Sequence, residues 1–314
     1  MISSCGGADN NSTTPAPMPT TPTPAPTPTP APVPAPVSYD KVTDLTRDWT
    51  FPGVGGRIVD PGAFNSRIGP FLADLNEDGK SMTVSHNAQT DSYRATYGAD
   101  TIEGTPERIR VGDVPYVAVR RAIPQFGMTE GYQLLTFSGA AEYSQLILFG
   151  KHSTDQAGAP QTVFPMIFFG AETLASDLPS QGIANYPSRV DCTARLDQSA
   201  VCAEDQYPNT TAPSMYGSIA ADWNTASIKA SATLNRQFLG GAGAQDYKIE
   251  VDAKLDRSTG SIRGIAMAWA LGNLAYTGTV IGQFYGPQAK EVGMIVLFHH
   301  DEGRILLVAI GGRL

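Results

Sequence analysis

Four short stretches hold the side chains that could do chemistry. Asp74-Leu75-Asn76-Glu77-Asp78-Gly79 places oxygen ligands at alternate positions and then a glycine, the first half of a calcium-binding loop. Ser85 stands where that loop needs a bidentate glutamate, and Asp and Asn before Gly also make ordinary turns, so Asp74, Asn76 and Asp78 read as a cation site or a plain turn. His86, Tyr93, Arg94 and Tyr97 form a second group. Iron takes axial His or Tyr, and an arginine pairs with a propionate, so these four are candidate haem contacts; the competing reading is tyrosines packed in strands. His299-His300-Asp301-Glu302 offers metal-ligand types, but adjacent strand residues face opposite ways, which favours a polar hairpin turn. Cys192 and Cys202 flank nine residues, a spacing suited to a disulfide that closes a loop and stabilises by roughly 2–3 kcal/mol. Catalytic spacings are missing: there is no G-x-S-x-G, no H-E-x-x-H, no P-loop, and the glycines at 53–56 and 240–243 lack dinucleotide spacing. The chain reads as a binder and not as an enzyme.

The third cysteine stands apart. Ile2-Ser3-Ser4-Cys5-Gly6-Gly7 has the aliphatic-small-small-Cys pattern of a bacterial lipoprotein cleavage site, with an accidental terminal cysteine as the alternative. Residues 13–37 follow, with 11 of the chain's 24 prolines alternating with Thr and Ala. Proline fixes φ and lacks an N–H, so this tract is expected in polyproline II, reaching ~70 Å at about 3.1 Å per residue. A stiff spacer after a lipid-bearing cysteine would hold a folded domain clear of a crowded membrane surface.

The composition predicts how the candidate residues are positioned. Charged residues are 17% of 314, glycines number 32, and long helical runs are scarce, which together favour short strands joined by tight turns. The net charge of −8 argues against nucleic acid as a partner. Runs rich in β-branched and aromatic residues predict strands over 114–123, 132–138, 145–150 and 163–170, with turns at Pro52-Gly53, Pro61-Gly62, Asp78-Gly79 and Gly112-Asp113. The second half is more regular: 217–221, 227–234, 247–255, 261–269, 274–284, 292–299 and 304–310 read as successive strands. Tyr247 to Leu255 alternates apolar and charged residues, one dry face and one wet. Seven or eight such strands predict a closed antiparallel barrel, which leaves no edge exposed. Small residues (Gly264, Ala266, Ala268, Gly278, Gly282) suit strands that bend around it.

Gly282-Gln283-Phe284-Tyr285-Gly286-Pro287-Gln288-Ala289-Lys290-Glu291-Val292-Gly293 resembles the G-x-F-Y-G-x-x-A-x-E-x-G-G signature of the barrel domain in transferrin-binding protein B-like surface lipoproteins, with Met294 in place of the final glycine. Pro179 to Tyr186 and Tyr216 to Trp223 resemble the first two strands of that barrel. The resemblance implies an all-β chain: a lipoprotein N-terminus and tether over 1–37, a handle-like β domain over 38–175, and an eight-stranded antiparallel barrel over 176–314. It also implies a monomeric, lipid-anchored outer-membrane protein that captures haem, another iron source or another nutrient for a TonB-dependent receptor. The alternative is a surface lipoprotein that binds a host protein.

Overall fold

The computed structural model describes residues 38–61, 72–76, 82–105, 107–111, 114–123, 128–135, 141–154, 160–195, 216–236, 245–270, 273–299 and 305–314. These residues form eighteen strands and two single 3-10 turns, in two sheets.

The N-terminal sheet has ten strands: β1 (Trp49–Pro61), β2 (Leu72–Asn76), β3 (Met82–Asn87), β4 (Ser92–Tyr97), β5 (Asp100–Gly104), β6 (Glu107–Val111), β7 (Val114–Ile123), β8 (Met128–Leu135), β9 (Ser144–Thr154) and β10 (Pro160–Gly170). Their order is β5-β4-β3-β1-β10-β9-β8-β7-β6, with β2 added on β1. The two edge strands, β5 and β6, are consecutive in the chain, and Gly104 and Glu107 stand three residues apart. A chain that short spans at most ~11 Å, so the sheet must curl until its edges approach. Strand β1 explains the divided pairing. Its first residues, Trp49–Pro52, pair with β3, and Gly55–Val59 pair with β2. The Pro52-Gly53 turn expected from sequence is therefore a partner switch inside one long strand. Proline's missing N–H is tolerated where ladder bonding changes hands.

The second sheet is a closed antiparallel barrel of eight strands: β11 (Ile183–Arg195), β12 (Tyr216–Asp222), β13 (Ser227–Arg236), β14 (Gln245–Leu255), β15 (Ser261–Ala270), β16 (Asn273–Tyr285), β17 (Glu291–His299) and β18 (Ile305–Arg313). Ladder β18–β11 closes it. The alternation read in β14 sets the wall: Tyr247, Ile249, Val251, Ala253 and Leu255 are buried inside, and Lys248, Asp252 and Lys254 are exposed outside. Tyr186, Trp223 and Phe284 cluster at one end of the interior, with the Trp223 and Phe284 ring centroids 5.0 Å apart.

Strand β17 departs from alternation. All of Glu291–Phe298 is buried, and only His299 is exposed. Val292, Met294, Val296 and Phe298 face the barrel core, whereas Ile295 and Leu297 join a second cluster with Ile58, Leu146, Leu148, Met166 and Phe168 of the N-terminal sheet. The outer wall at β16–β18 is therefore covered by β1, β9 and β10. Gly293 makes the approach possible, because a Cβ there would sit 2.6 Å from the Phe168 ring. A third cluster (Trp49, Phe51, Met82, Tyr93, Tyr97, Ile167, Phe169) fills the inside of the curled sheet.

Candidate functional site

Of the four residues proposed as haem contacts, the structure brings His86 and Tyr93 together and sets Arg94 and Tyr97 apart from them. His86 on β3 faces Tyr93 on β4 in register, ring centroids 4.8 Å apart, and both are buried beside Trp49. Both His86 ring nitrogens are engaged, Nδ1 at 3.3 Å from the Arg47 carbonyl and Nε2 at 3.1 Å from an Asp91 carboxylate oxygen. Arg94 points the other way and is exposed, 3.9 Å from Glu103. Tyr97 lies four residues along β4, about 13 Å from Tyr93 at roughly 3.3 Å per residue. As placed, His86 and Tyr93 are packed side chains of the sheet interior.

Tyr97 instead meets the residues proposed for a cation. Its hydroxyl donates to the Asp74 carboxylate, and burial, with that acceptor beside it, raises the phenol above its ordinary range. Asp74 lies on strand β2 opposite Arg57 of β1, so Asp74 and Asn76 occupy a strand where a turn or cation loop was expected; Asp78 lies outside the described residues. Arg57 Nε donates to Asp74 at 2.9 Å and its Nη1 donates to Asp100 of β5 at 3.2 Å, with the guanidinium 5.1 Å from the Tyr97 ring centroid. Lys151 of β9 reaches Asp100 at 3.6 Å. Two cations, two carboxylates and a phenol thus balance one another where the β4–β5 hairpin folds over β1, β2 and β9. This network latches the curl. Sequence reading missed Arg57, Asp100 and Lys151, because no local spacing links three residues from β1, β5 and β9.

The signature residues meet at the seam between sheet and barrel. A 3-10 turn, Pro287–Ala289, joins β16 to β17, and Gly286 before it has φ 74°. A Cβ on Gly286 would strike the Tyr143 ring at 2.6 Å. Glu291 is 1% exposed, and its carboxylate accepts from the Glu142 amide at 2.7 Å, the Ser144 hydroxyl at 2.7 Å and the Tyr143 amide at 3.2 Å. One barrel carboxylate therefore collects three donors from the start of β9. Burial raises the Glu291 pKa, against the lowering effect of those donors. The Tyr186 hydroxyl donates to the Ala289 carbonyl at 2.7 Å, and Thr173 Oγ1 donates to the Gly286 carbonyl at 2.7 Å. Asp177 takes bonds from the Tyr39 hydroxyl and the Gln288 amide, both 2.9 Å, which fastens the chain entering the sheet to the same turn. Only this one short 3-10 turn separates the two strands, and Glu291 itself opens β17.

Cys5 and Cys202 lie outside the described residues, as do His300, Asp301 and Glu302; Cys192 is in β11, opposite Val308 of β18. Among the described residues, no three His, Cys, Asp or Glu side chains group as a metal set, and no helix is long and apolar enough to cross a membrane.

No protein-family model matches the chain, and no curated protein matches its sequence. Solved structures do match. A single-substitution variant of transferrin binding protein B from Haemophilus parasuis aligns at 12% identity over 85% of this chain and 75% of that one, with a TM-score of 0.41. Intact Ap-TbpB, with its N and C lobes, aligns at 12% identity over 85% and 77%, with a TM-score of 0.44. The isotype 1 transferrin binding protein B of serogroup B Neisseria meningitidis aligns at 11% identity over 85% and 77%, with a TM-score of 0.34.

Proposed function

We propose that the chain is a binding protein displayed on the outer membrane, held by lipid on Cys5 and a proline-rich tether. In this reading it captures haem, another iron source or another nutrient and presents it to a TonB-dependent receptor. The observation that carries this reading is the seam. The residues of the signature, from Gly282 to Gly293, clamp a curled sheet onto a barrel whose interior is packed with side chains. Such a scaffold performs recognition without bond chemistry: rigid walls hold surfaces and loops in place, and little order has to be created on binding. The ionic groups fit that role. Those around Arg57 neutralise each other, and the Glu291 carboxylate at the seam is held by the Glu142 and Tyr143 amides and the Ser144 hydroxyl, so both sets hold the scaffold together.

The test is capture. The full chain, immobilised, is exposed to detergent-solubilised outer membranes, and retained proteins are identified by mass spectrometry. Retention of a TonB-dependent receptor is the expected result; retention of no receptor would overturn the uptake reading in favour of the host-binding one. The anchor is tested separately: Cys5→Ser is expected to move the protein from the membrane pellet to the soluble fraction, and full membrane retention of that variant would overturn the lipid assignment.

A further inference from the structure

Strand β15 is apolar on the wrong side for a barrel wall that meets water. Ile262, Ala266 and Ala268 are buried in the barrel core, as alternation requires, but the outward row continues as Ile265, Met267 and Trp269. Leu274 of β16 stands opposite Trp269 and widens the row. Ile265 is 61% exposed and Leu274 50%, while Met267 and Trp269 are half-buried. A strand apolar on both faces is ordinarily covered on both, as β17 is. The strip also continues a wall already in use: Ile281, buried under the N-terminal sheet, is the register partner of Arg263 and lies diagonal to Ile265. Trp269 adds a second sign. Its indole N–H is shut off from water and meets no acceptor among the described residues, and a buried donor left unpaired costs free energy. The flanks are polar and unlike each other. On one side β14 sets Lys248, Glu250 and Asp252 level with Trp269, Met267 and Ile265, and Lys248 pairs with Glu250 at 2.6 Å. On the other, β16 sets the exposed hydroxyls of Thr277 and Thr279 level with Met267 and Ile265.

We propose that a second copy of this chain covers the strip, with β15 lying on β15 about a two-fold axis that runs along the strand. A two-fold contact joins the same patch on both chains, so the patch must complement itself. This axis sets Ile265, Met267 and Trp269 on their own counterparts and lays the acidic row of each copy over the hydroxyl row of the other. Glu250 faces the partner's Thr277 and Asp252 faces the partner's Thr279, each carboxylate accepting from a hydroxyl. The Lys248 methylenes lie over the partner's Leu274, leaving the ammonium in water. The Trp269 N–H gains acceptors one level along, on the partner's Glu250 and the partner's Thr277. The other in-plane axis, across the strands, sets Glu250 against the partner's Glu250, and like charges in contact are costly. The contact is three strands wide and three levels deep, roughly 14 Å on a side at about 3.4 Å per residue and 4.8 Å per strand. That is well short of the roughly 800 Å² per partner of a standard interface, so the dimer is weak and reversible, with a dissociation constant on the order of 10–100 µM. It departs from the monomer that the resemblance implies, and it stands apart from any ligand the chain carries.

The test is sedimentation equilibrium of the full chain at neutral pH, from about 1 to about 200 µM. A reversible monomer–dimer equilibrium is expected, and a chain that stays monomeric throughout overturns the proposal. Ile265→Glu brings two carboxylates into the apolar contact and is expected to weaken the dimer by about tenfold or more. The thermal midpoint of the dilute monomer is expected to stay unchanged in I265E, because Ile265 is exposed. A dimer that survives I265E lies elsewhere on the molecule and overturns the assignment to this strip. Thr279→Lys places an ammonium over the partner's Asp252 and is expected to tighten the dimer about threefold. With the axis across the strands Thr279 meets the partner's Leu274 instead, so a dimer that T279K leaves unchanged or weakens overturns the arrangement. A monomeric chain that pellets with phosphatidylglycerol vesicles, and no longer does so as I265E, gives the strip to a lipid surface and overturns the second copy as its occupant.

Discussion

Truncating Glu291 to alanine tests whether one carboxylate joins sheet and barrel. The change removes the acceptor for the Glu142 amide and Ser144 hydroxyl, each 2.7 Å away, and for the Tyr143 amide at 3.2 Å. Ser144 and Tyr143 are buried, so water does not replace the lost oxygens freely. Each stranded donor costs about 1–3 kcal/mol, and removing a burdened buried charge returns part of this, so a net loss of about 3 kcal/mol is expected. Glu291→Gln keeps one oxygen acceptor and turns an NH2 toward at least one donor, so it is expected to lose about half as much. The assay is guanidinium unfolding at pH 7, followed by tryptophan fluorescence. Trp49 is in the sheet and Trp223 in the barrel, and together they report both parts. The alanine variant is expected to lower the midpoint with an unchanged denaturant slope. A loss below 1 kcal/mol, or equal losses for Ala and Gln, would refute the clasp.

Other substitutions probe neighbouring features of the same design. Gly286→Ala forces a side chain into the left-handed region and against the Tyr143 ring, whereas Gly182, also at positive φ, has open space around its Cβ position. Gly286→Ala is therefore expected to lose at least 2 kcal/mol and Gly182→Ala about 1, and equal losses by denaturant titration would refute the contact argument. Tyr186→Phe removes one buried bond to the Ala289 carbonyl and is expected to cost about 1 kcal/mol, with no change in the pH profile between 5 and 8. Arg57→Ala strands Asp74 and Asp100 at the curl of the N-terminal sheet, and a loss of about 1 kcal/mol is expected, discounted for partial exposure and smaller in high salt. In a haem titration, His86→Phe is expected to leave the Soret spectrum unchanged, because the imidazole is already engaged on both nitrogens. A lost or shifted band would place His86 on the iron.

The ease of reading each strand depended on how many of its faces meet water. Barrel strand β14 has one dry and one wet face, so period two is written directly into Tyr247 to Leu255. The barrel followed from a succession of such runs. The early strands were harder to read. Strand β1 contains Pro52 and three nearby glycines, turn residues by type, but it must switch partners from β3 to β2 and so uses them inside a strand. Asp74 and Asn76 resemble a cation loop in sequence; only the fold reveals that Arg57 lies opposite, seventeen residues earlier in the chain. Of the haem candidates, His86 and Tyr93 meet across the β3–β4 ladder, which no local spacing announces, whereas Tyr93 and Tyr97, four apart on one strand, share a face yet stand about 13 Å apart.

Strand β17 carries the least ambiguous signal that pattern reading passed over. Its apolar run, Val292 to Phe298, has no alternation, and a strand without alternation is covered on both faces. In a barrel whose interior is one of those covers, the second cover must come from elsewhere in the chain. Glu291, opening that run, then lies at the margin of a two-sided burial, where a carboxylate persists only if donors reach it. The donors belong to residues 142–144, about 150 positions earlier. Long-range partners of this kind are not encoded in any local spacing. An acid at the head of a run buried on both sides nonetheless requires them, and so the sequence already implied an interface at this point, though not its other half.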